Sequence, residues 1–311
     1  MVDILLATYN GEKYLEVQLQ SLTEQTYSHW HLYVRDDGSR DNTVSILKHF
    51  CQEHPEKVTL LQDNVGNVGP AENFSLLMQA SKSDYILFCD QDDQWLPAKI
   101  DITLQKMKEL EAGQTATPCF VFTDLSMADA DLNIIAPSLW KKDNLNPNAT
   151  KLGNLLMQNV PYGCAMMVNK SLLTLGTPID KQALLQDHWL VLLAAATGKI
   201  DYVRQSTILH RVHGSNASRG NNPLKKDVEQ TFSAKVSNKN LKTYFSKLQQ
   251  QASAVKQRLD ERGCLNNEAE KILSSFVNLR NTSFLRRKWH ILKYNFFKNS
   301  IQQSIKWWLR L

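Results

Sequence analysis

The run FCDQDDQW (88–95) places three carboxylates, Asp90, Asp92 and Asp93, within four residues. Carboxylates so closely spaced repel one another unless a cation lies among them. Hard oxygen donors at the end of a buried strand suit Mg2+ or Mn2+, with substrate phosphates completing the coordination. A solvated acidic turn is the alternative for an isolated Asp-x-Asp. The apolar residues before this one and Trp95 after it favour a site. A second acidic stretch, Asp36-Asp37-Gly38-Ser39, reads as a turn and helix cap, with Ser39 or Asp41 as the capping residue. Gly38 can make that turn while Asp37 accepts a hydrogen bond from a base. The segments LATYNGEKY (6–14) and NVGNVGPAENF (64–74), the latter with Asn67, Gly69 and Asn73, read singly as loop and cap chemistry.

These residues need elements to hold them. Val2–Thr8 is a short apolar run that predicts a buried strand. Leu15, Leu19 and Leu22 recur at helical spacing within a predicted helix over 12–25. A second strand is predicted at 31–36, a helix at 41–50, a third strand at 57–62, and a helix at 71–80 after a Gly/Asn-rich loop. Residues 84–90 form the fourth predicted strand, which leads directly into the acidic run. Pro97 is expected at the first position of the next helix, whose stripe is Ile100, Leu104 and Met107. A fifth strand is predicted at 119–123. This β-α alternation predicts an α/β fold with a mainly parallel central sheet and helices on both faces. Ligands bind such sheets beyond the carboxyl ends of the strands. Thr8, Tyr9 and Asn10, Asp36 and Asp37, and the 90–93 cluster all fall at those ends.

Beyond Asp124 the pattern weakens. Strands are expected at 162–169 and 208–212, and a helix at 184–196 that opens with Gln186-Asp187-His188-Trp189. The domain boundary is placed at Asn222. A catalytic domain of residues 1–222 is followed by a Lys/Gln-rich helical region of residues 223–311. The 311 residues suffice for a large α/β domain with a smaller appendage, and 42% hydrophobic with 22% charged residues is ordinary for a packed protein. The net charge of +5 is too mild to imply nucleic acid. Five widely spaced cysteines, none in a C-x-x-C pair, argue against zinc and against a disulfide framework. A reducing cytosol follows as the simpler expectation. The N-terminal residues lack a signal-peptide pattern, and no apolar run reaches the roughly 18 residues needed to span a bilayer.

In combination, LLATYNGEKYL, VRDDGSRDNT, DNVGNVGPAENF, FCDQDDQW, YGCAMMVNK, QDHWL and HRVHGSNAS resemble the family 2 glycosyltransferases, over roughly residues 1–217. The closest likeness is to bacterial rhamnosyltransferases of cell-surface polysaccharide synthesis. The resemblance implies the GT-A fold with a C-terminal helical extension. It implies that Thr8, Tyr9 and Asn10 line a nucleotide pocket, and that Asp37 reads a pyrimidine through its N–H. Asn67 and Asn73 would lie near the nucleotide. Asp90, beside Gln91, would approach the ribose. Asp92 would ligate the metal, and His213 matches the region that closes over the diphosphate, as a metal ligand or as a structural histidine. Asp187 takes the position of the catalytic base, where relatives often carry an acidic pair and this chain has Gln186 before it. Arg211 and Arg219 are candidate cations for the departing diphosphate; a solvated loop residue is the alternative for either, and the favoured one for Arg219. The implied reaction inverts the anomeric centre by one displacement, with dTDP-β-L-rhamnose as the nearest donor and another donor such as a UDP-hexose as the alternative.

Two other classes fit less well. A nucleotidyltransferase favours a Gly-rich phosphate loop with a basic residue after the first strand, and ATYNGEKY is not one. A non-catalytic binding protein is expected to lose the base or the metal ligand, whereas Asp187 and Asp92 are both present. The tail from Phe284 to Leu311 interleaves aromatic and basic residues. From Arg286 onward it holds seven Lys/Arg and no acidic residue. An amphipathic helix of this composition suits an anionic membrane surface. Packing on the catalytic domain or a homodimer interface are its alternatives. A lipid-linked saccharide acceptor would account for a cytoplasmic enzyme held peripherally on the inner face of the plasma membrane.

Overall fold

A computed structural model describes residues 1–63, 65–213, 238–298 and 304. Arg219, the boundary expected at Asn222 and most of the tail beyond Lys298 lie outside the described residues.

The first half builds as its periodicity predicts. Strands β1 (Val2–Thr8), β2 (Trp30–Asp36), β3 (Val58–Leu60) and β4 (Tyr85–Asp90) alternate with helices α1 (Leu15–Thr23), α2 (Thr43–Glu53) and α3 (Pro70–Ala80). A two-residue strand β5 (Gln94–Trp95) and helix α4 (Lys99–Glu111) follow. The second half holds β6 (Cys119–Ala128), β7 (Ile134–Ala136), α5 (Leu139–Lys142), α6 (Leu152–Met157), β8 (Met166–Asn169), α7 (Lys170–Gly176), α8 (Gln186–Thr197) and β9 (Lys199–Arg211). Helices α9 (Asn238–Glu261), α10 (Asn267–Val277) and α11 (Phe284–Lys293) complete the described chain.

The nine strands form one sheet in the order β3-β2-β1-β4-β8-β6-β9-β5, with β7 paired to β6. Strands β1 to β4 pair in parallel, β8 inserts antiparallel between β4 and β6, and β9 runs parallel to β6. Strand alternation feeds two cores. Val2, Ile4 and Leu6 face the core shared with α1, α2 and α4, while Leu5, Ile86 and Phe88 face the core shared with α3 and α8. The C-terminal helices belong to the second core: Phe245, Leu248, Leu273 and Phe276 are buried in it. Arg258 donates to the carbonyls of Leu175 and Pro178 and lies over the Trp189 ring.

Several boundaries differ from expectation. Pro97 does not open α4; Ala98 is the residue before the helix, and the Pro97 carbonyl instead accepts the Thr26 N–H at 2.9 Å. Strand β6 continues five residues past 123 because its polar members are satisfied. The Asp124 carboxylate accepts Leu125 N, Trp140 N and the Ser138 hydroxyl. Strand β9 begins at Lys199 rather than at 208, and residues 163–165 form a 3-10 turn ahead of β8.

Candidate active site

Register brings the polar strand ends together. Thr8 pairs with Asp36 across β1 and β2, and Ala7 with Asp90 across β1 and β4. The Thr8 hydroxyl donates to Asp36 at 2.9 Å, and the same carboxylate accepts the N–H groups of Gly38 and Ser39. Asn10 has a positive φ of 47° and accepts Arg40 N through its side-chain oxygen. Gln91 spans the loops: its Oε1 accepts Tyr9 N at 2.8 Å and its Nε2 donates to Tyr9 O at 3.0 Å. At Gly11, beneath that bridge, a Cβ would lie 2.3 Å from Gln91 Oε1 and would displace the bridging amide. The Tyr9 ring is left 48% exposed at the mouth of the cluster.

The expected base-reading residue is held from behind. Asp37 accepts Arg35 Nη1 at 2.8 Å, Val68 N at 2.9 Å and Gly69 N at 2.8 Å. Asn67 donates to the Asp37 carbonyl at 2.8 Å. Asn73 is buried, and its amide exchanges bonds with the Arg35 guanidinium and the Arg35 carbonyl. Asn73 therefore acts on this region through Arg35. Arg35 also forks onto Asp63 at 2.7 and 3.0 Å and donates to Gly66 O. The hydrogen bond to Asp63 is the largest cause that raises the Arg35 pKa, outweighing burial, and it holds the Asp63 carboxyl below its ordinary value. Arg35 was not among the expected site residues. Its signal was an arginine on a buried strand two residues before Asp37.

The acidic run divides into two duties. Asp92 Oδ2 lies 2.9 Å from His213 Nε2, and Arg211 Nε donates to the Asp92 carbonyl at 2.9 Å. The expected oxygen and nitrogen donors are thus adjacent, with a buried guanidinium beneath them. Tyr14, also unanticipated, supports both partners: the Arg211 guanidinium lies 4.4 Å and the His213 ring 4.6 Å from its ring. Asp90 is half-buried at the end of β4, two residues before Asp92.

Asp93 turns inward and is fully buried. It meets His210 Nδ1 at 2.9 Å and accepts Arg211 N at 3.2 Å. Cys164 Sγ, the Asp93 carboxylate and a His210 ring nitrogen lie within 4.8 Å of one another. Lys99 is also fully buried and places its ammonium 4.6 Å over the Trp95 ring. Burial lowers the Lys99 pKa to about 8, and burial pulls His210 the same way, but Asp93 overrides it and raises His210 to about 9. The carboxylate of Asp92 and the imidazole of His213 are donors of the types that suit Mn2+ or Mg2+.

Asp187 lies in the first turn of α8, buried at 7% exposure, and its Oδ1 accepts His188 N at 2.6 Å. The next residue, His188, donates from Nε2 to Leu155 O on α6 at 2.7 Å. Gln186, before Asp187, lies close to Gly163, where a Cβ would lie 2.8 Å from Gln186 Nε2.

Comparison with known proteins agrees with this architecture. A dTDP-rhamnosyl transferase, RfbG of Shigella flexneri, is 26% identical over 222 residues, covering 68% of this chain and 72% of its own length. Against two other curated relatives the chain spans 66% and 49% of their length. The structure of S. aureus TarS 1-349 in complex with UDP superposes with a TM-score of 0.56 at 15% identity, covering 88% of this chain and 86% of that one. The mannosyltransferase PcManGT from Pyrobaculum calidifontis, in complex with GDP-Man and Mn2+, superposes with a TM-score of 0.52 at 14% identity, covering 99% and 86%. These likenesses establish the GT-A fold, a curled mixed sheet with helices on both faces. The profile of Glycosyl transferase family 2 matches residues 3–173, and the chain belongs to that family.

Proposed function

We propose that this protein is an inverting, metal-assisted glycosyltransferase. It moves L-rhamnose from dTDP-β-L-rhamnose to a saccharide acceptor, lipid-linked, in cell-surface polysaccharide synthesis. The observation that carries the reading is the Asp92–His213 pair at 2.9 Å, braced by Arg211, beside the strand-end cluster of Thr8, Tyr9 and Asp37. The donor assignment is supported by the similarity to RfbG. A UDP-hexose is the second reading, favoured by the fold-level likeness to the UDP complex of TarS.

The reaction follows from charge. The acceptor oxygen bonds to the anomeric carbon, and the bond from that carbon to the β-phosphate oxygen breaks. The nucleoside diphosphate leaves with the electron pair. Asp187 takes the acceptor hydroxyl proton as general base. Asp92 and His213 would hold Mn2+ or Mg2+, which supplies charge stabilisation for the departing diphosphate. Thr8, Tyr9, Asn10, Asp37, Asn67 and Asn73 would bind or brace the nucleotide, Asp90 and Gln91 the ribose side. A lipid-linked acceptor would keep the enzyme peripheral on the inner face of the plasma membrane.

The test is a panel of nucleotide sugars with a lipid-linked saccharide, scored by product mass with and without Mn2+ or Mg2+. Transfer from dTDP-rhamnose alone supports the donor; transfer from a UDP-hexose alone replaces it. Asp187→Asn is expected to lower kcat by at least about 100-fold. Full activity in that variant would remove Asp187 from the base role.

A further inference from the structure

Helix α11 presents an outer face that the sugar-transfer site does not use. Phe284, Leu285, Trp289 and Leu292 are 67%, 79%, 51% and 60% exposed, whereas Ile291, on the flank of the helix that packs inward, is 2% exposed. At about 100° per residue the four exposed apolar side chains fall within one arc of about 140°. Arg286, Lys288 and Lys293 lie within or beside that arc. Lys288 Nζ lies 5.1 Å over the Phe284 ring and Lys293 Nζ 4.2 Å over the Trp289 ring, so cations and apolar surface are interleaved. No Asp or Glu follows Glu270 in the chain. Large apolar side chains in a rim of cations match a surface of anionic headgroups above acyl chains.

The helix is also tied to the base. Asn295, just past α11, donates to Asn154 Oδ1 at 2.7 Å, and Asn154 Nδ2 donates to Phe297 O at 3.3 Å. Gly153 lets this contact close: a Cβ there would lie 1.8 Å from Tyr294 O. The next residue along α6 from Asn154 is Leu155, whose carbonyl accepts His188 Nε2, and His188 follows Asp187.

We infer that the outer face of α11 docks on an anionic lipid surface, and that its ties through α6 hold the Asp187 end of α8 to the membrane-bound part of the molecule. The inference deepens the lipid-linked acceptor reading by naming the surface and the residues that meet it. Vesicle binding needs neither donor nor acceptor, so the two fail separately.

The test uses the full chain in sedimentation with phosphatidylcholine vesicles, with and without phosphatidylglycerol, at low and high salt. The parent is expected to bind only the anionic vesicles and to release at high salt. The double variant Leu285→Ser with Trp289→Ser is expected to lose about tenfold or more in partitioning through lost apolar burial. Arg286→Gln with Lys293→Gln is expected to lose about tenfold through lost charge attraction. Both keep the parent's circular dichroism and unfolding midpoint, because Leu285, Arg286, Trp289 and Lys293 are exposed. Equal binding to neutral and anionic vesicles overturns the inference, as does unchanged binding by the Leu285/Trp289 variant. A parent dimer that this variant splits into monomers also overturns it, since a second copy then covers the face.

Discussion

Replacement of Arg35 by Ala tests how the nucleotide end of the site is held. Arg35 is 2% exposed and bonds to Asp37, Asp63, Asn73 and Gly66 O. Stripping the partner from a fully buried ion pair costs about 3–5 kcal/mol. Asp37 keeps the N–H groups of Val68 and Gly69, which brings its share down to about 2 kcal/mol. The Asp63 side chain is 31% exposed, so that fork contributes only about 0.5 kcal/mol. Gly66 is exposed and the Asn73 Oδ1 bond is long at 3.3 Å, so each acceptor loses about what an ordinary hydrogen bond contributes, about 0.5–1 kcal/mol. Arg35→Ala should therefore destabilise the protein by about 4 kcal/mol, read by urea unfolding with an unchanged m-value. Nucleoside diphosphate affinity, read by calorimetry, should fall at least about tenfold, because Asp37 and the loop carrying Asn67 lose their common brace. Arg35→Lys should fall between, since an ammonium cannot fork onto Asp63 while reaching Asp37. A stability loss under about 1 kcal/mol would refute the assignment of Arg35 as the brace. A destabilised variant with unchanged nucleotide affinity would separate Asp37 from nucleotide binding.

Three further outcomes are expected. Gly11→Ala should force the Gln91 amide off Tyr9 and cost about 1–3 kcal/mol, and a second change, Gln91→Ala, should recover part of that loss; no recovery in thermal unfolding would rule out this clash as the cause. Asp93→Asn and His210→Gln should be non-additive in a double-mutant cycle, with a coupling of about 1–3 kcal/mol; additive losses would mean the pair does not act as a unit. Burial holds the His188 pKa down at about 4. The unfolded chain therefore takes up this proton first, and stability falls as pH drops from about 6.5 to about 4, by up to about 3 kcal/mol. His188→Gln should flatten that part of the stability–pH curve, and an unchanged slope would show that another group sets it.

The first four strands were legible because each is a short apolar run ending in turn chemistry, and each boundary lies within two residues of expectation. The clustering of Thr8, Asp36 and Asp90 followed from the rule for parallel sheets, and the register shows it. The pairing of Asp92 with His213, 121 positions apart, came from resemblance and could not have come from spacing. Strand β6 was read short because Asp124 and Ser126 break the apolar alternation; their hydrogen bonds to Ser138 and to the Pro137 carbonyl come from residues more than ten positions away. Arg35, Tyr14 and Lys99 were missed for a related reason. Each looks like a surface residue by type; Arg35 and Tyr14 gain their meaning from partners far along the chain, and Lys99 from burial against the Trp95 ring.

The Gln91 amide couples two loops thermodynamically. Its two bonds to the Tyr9 backbone join the loop after β1, where a nucleotide would lie, to the loop after β4, which carries Asp92. Loops fastened in this way lose their freedom together. A ligand that orders one relieves the other of that entropy, so nucleotide and divalent cation are expected to bind with positive cooperativity. Reciprocity then requires that each tighten the other by the same factor, and a donor without its metal would find the loops only half arranged.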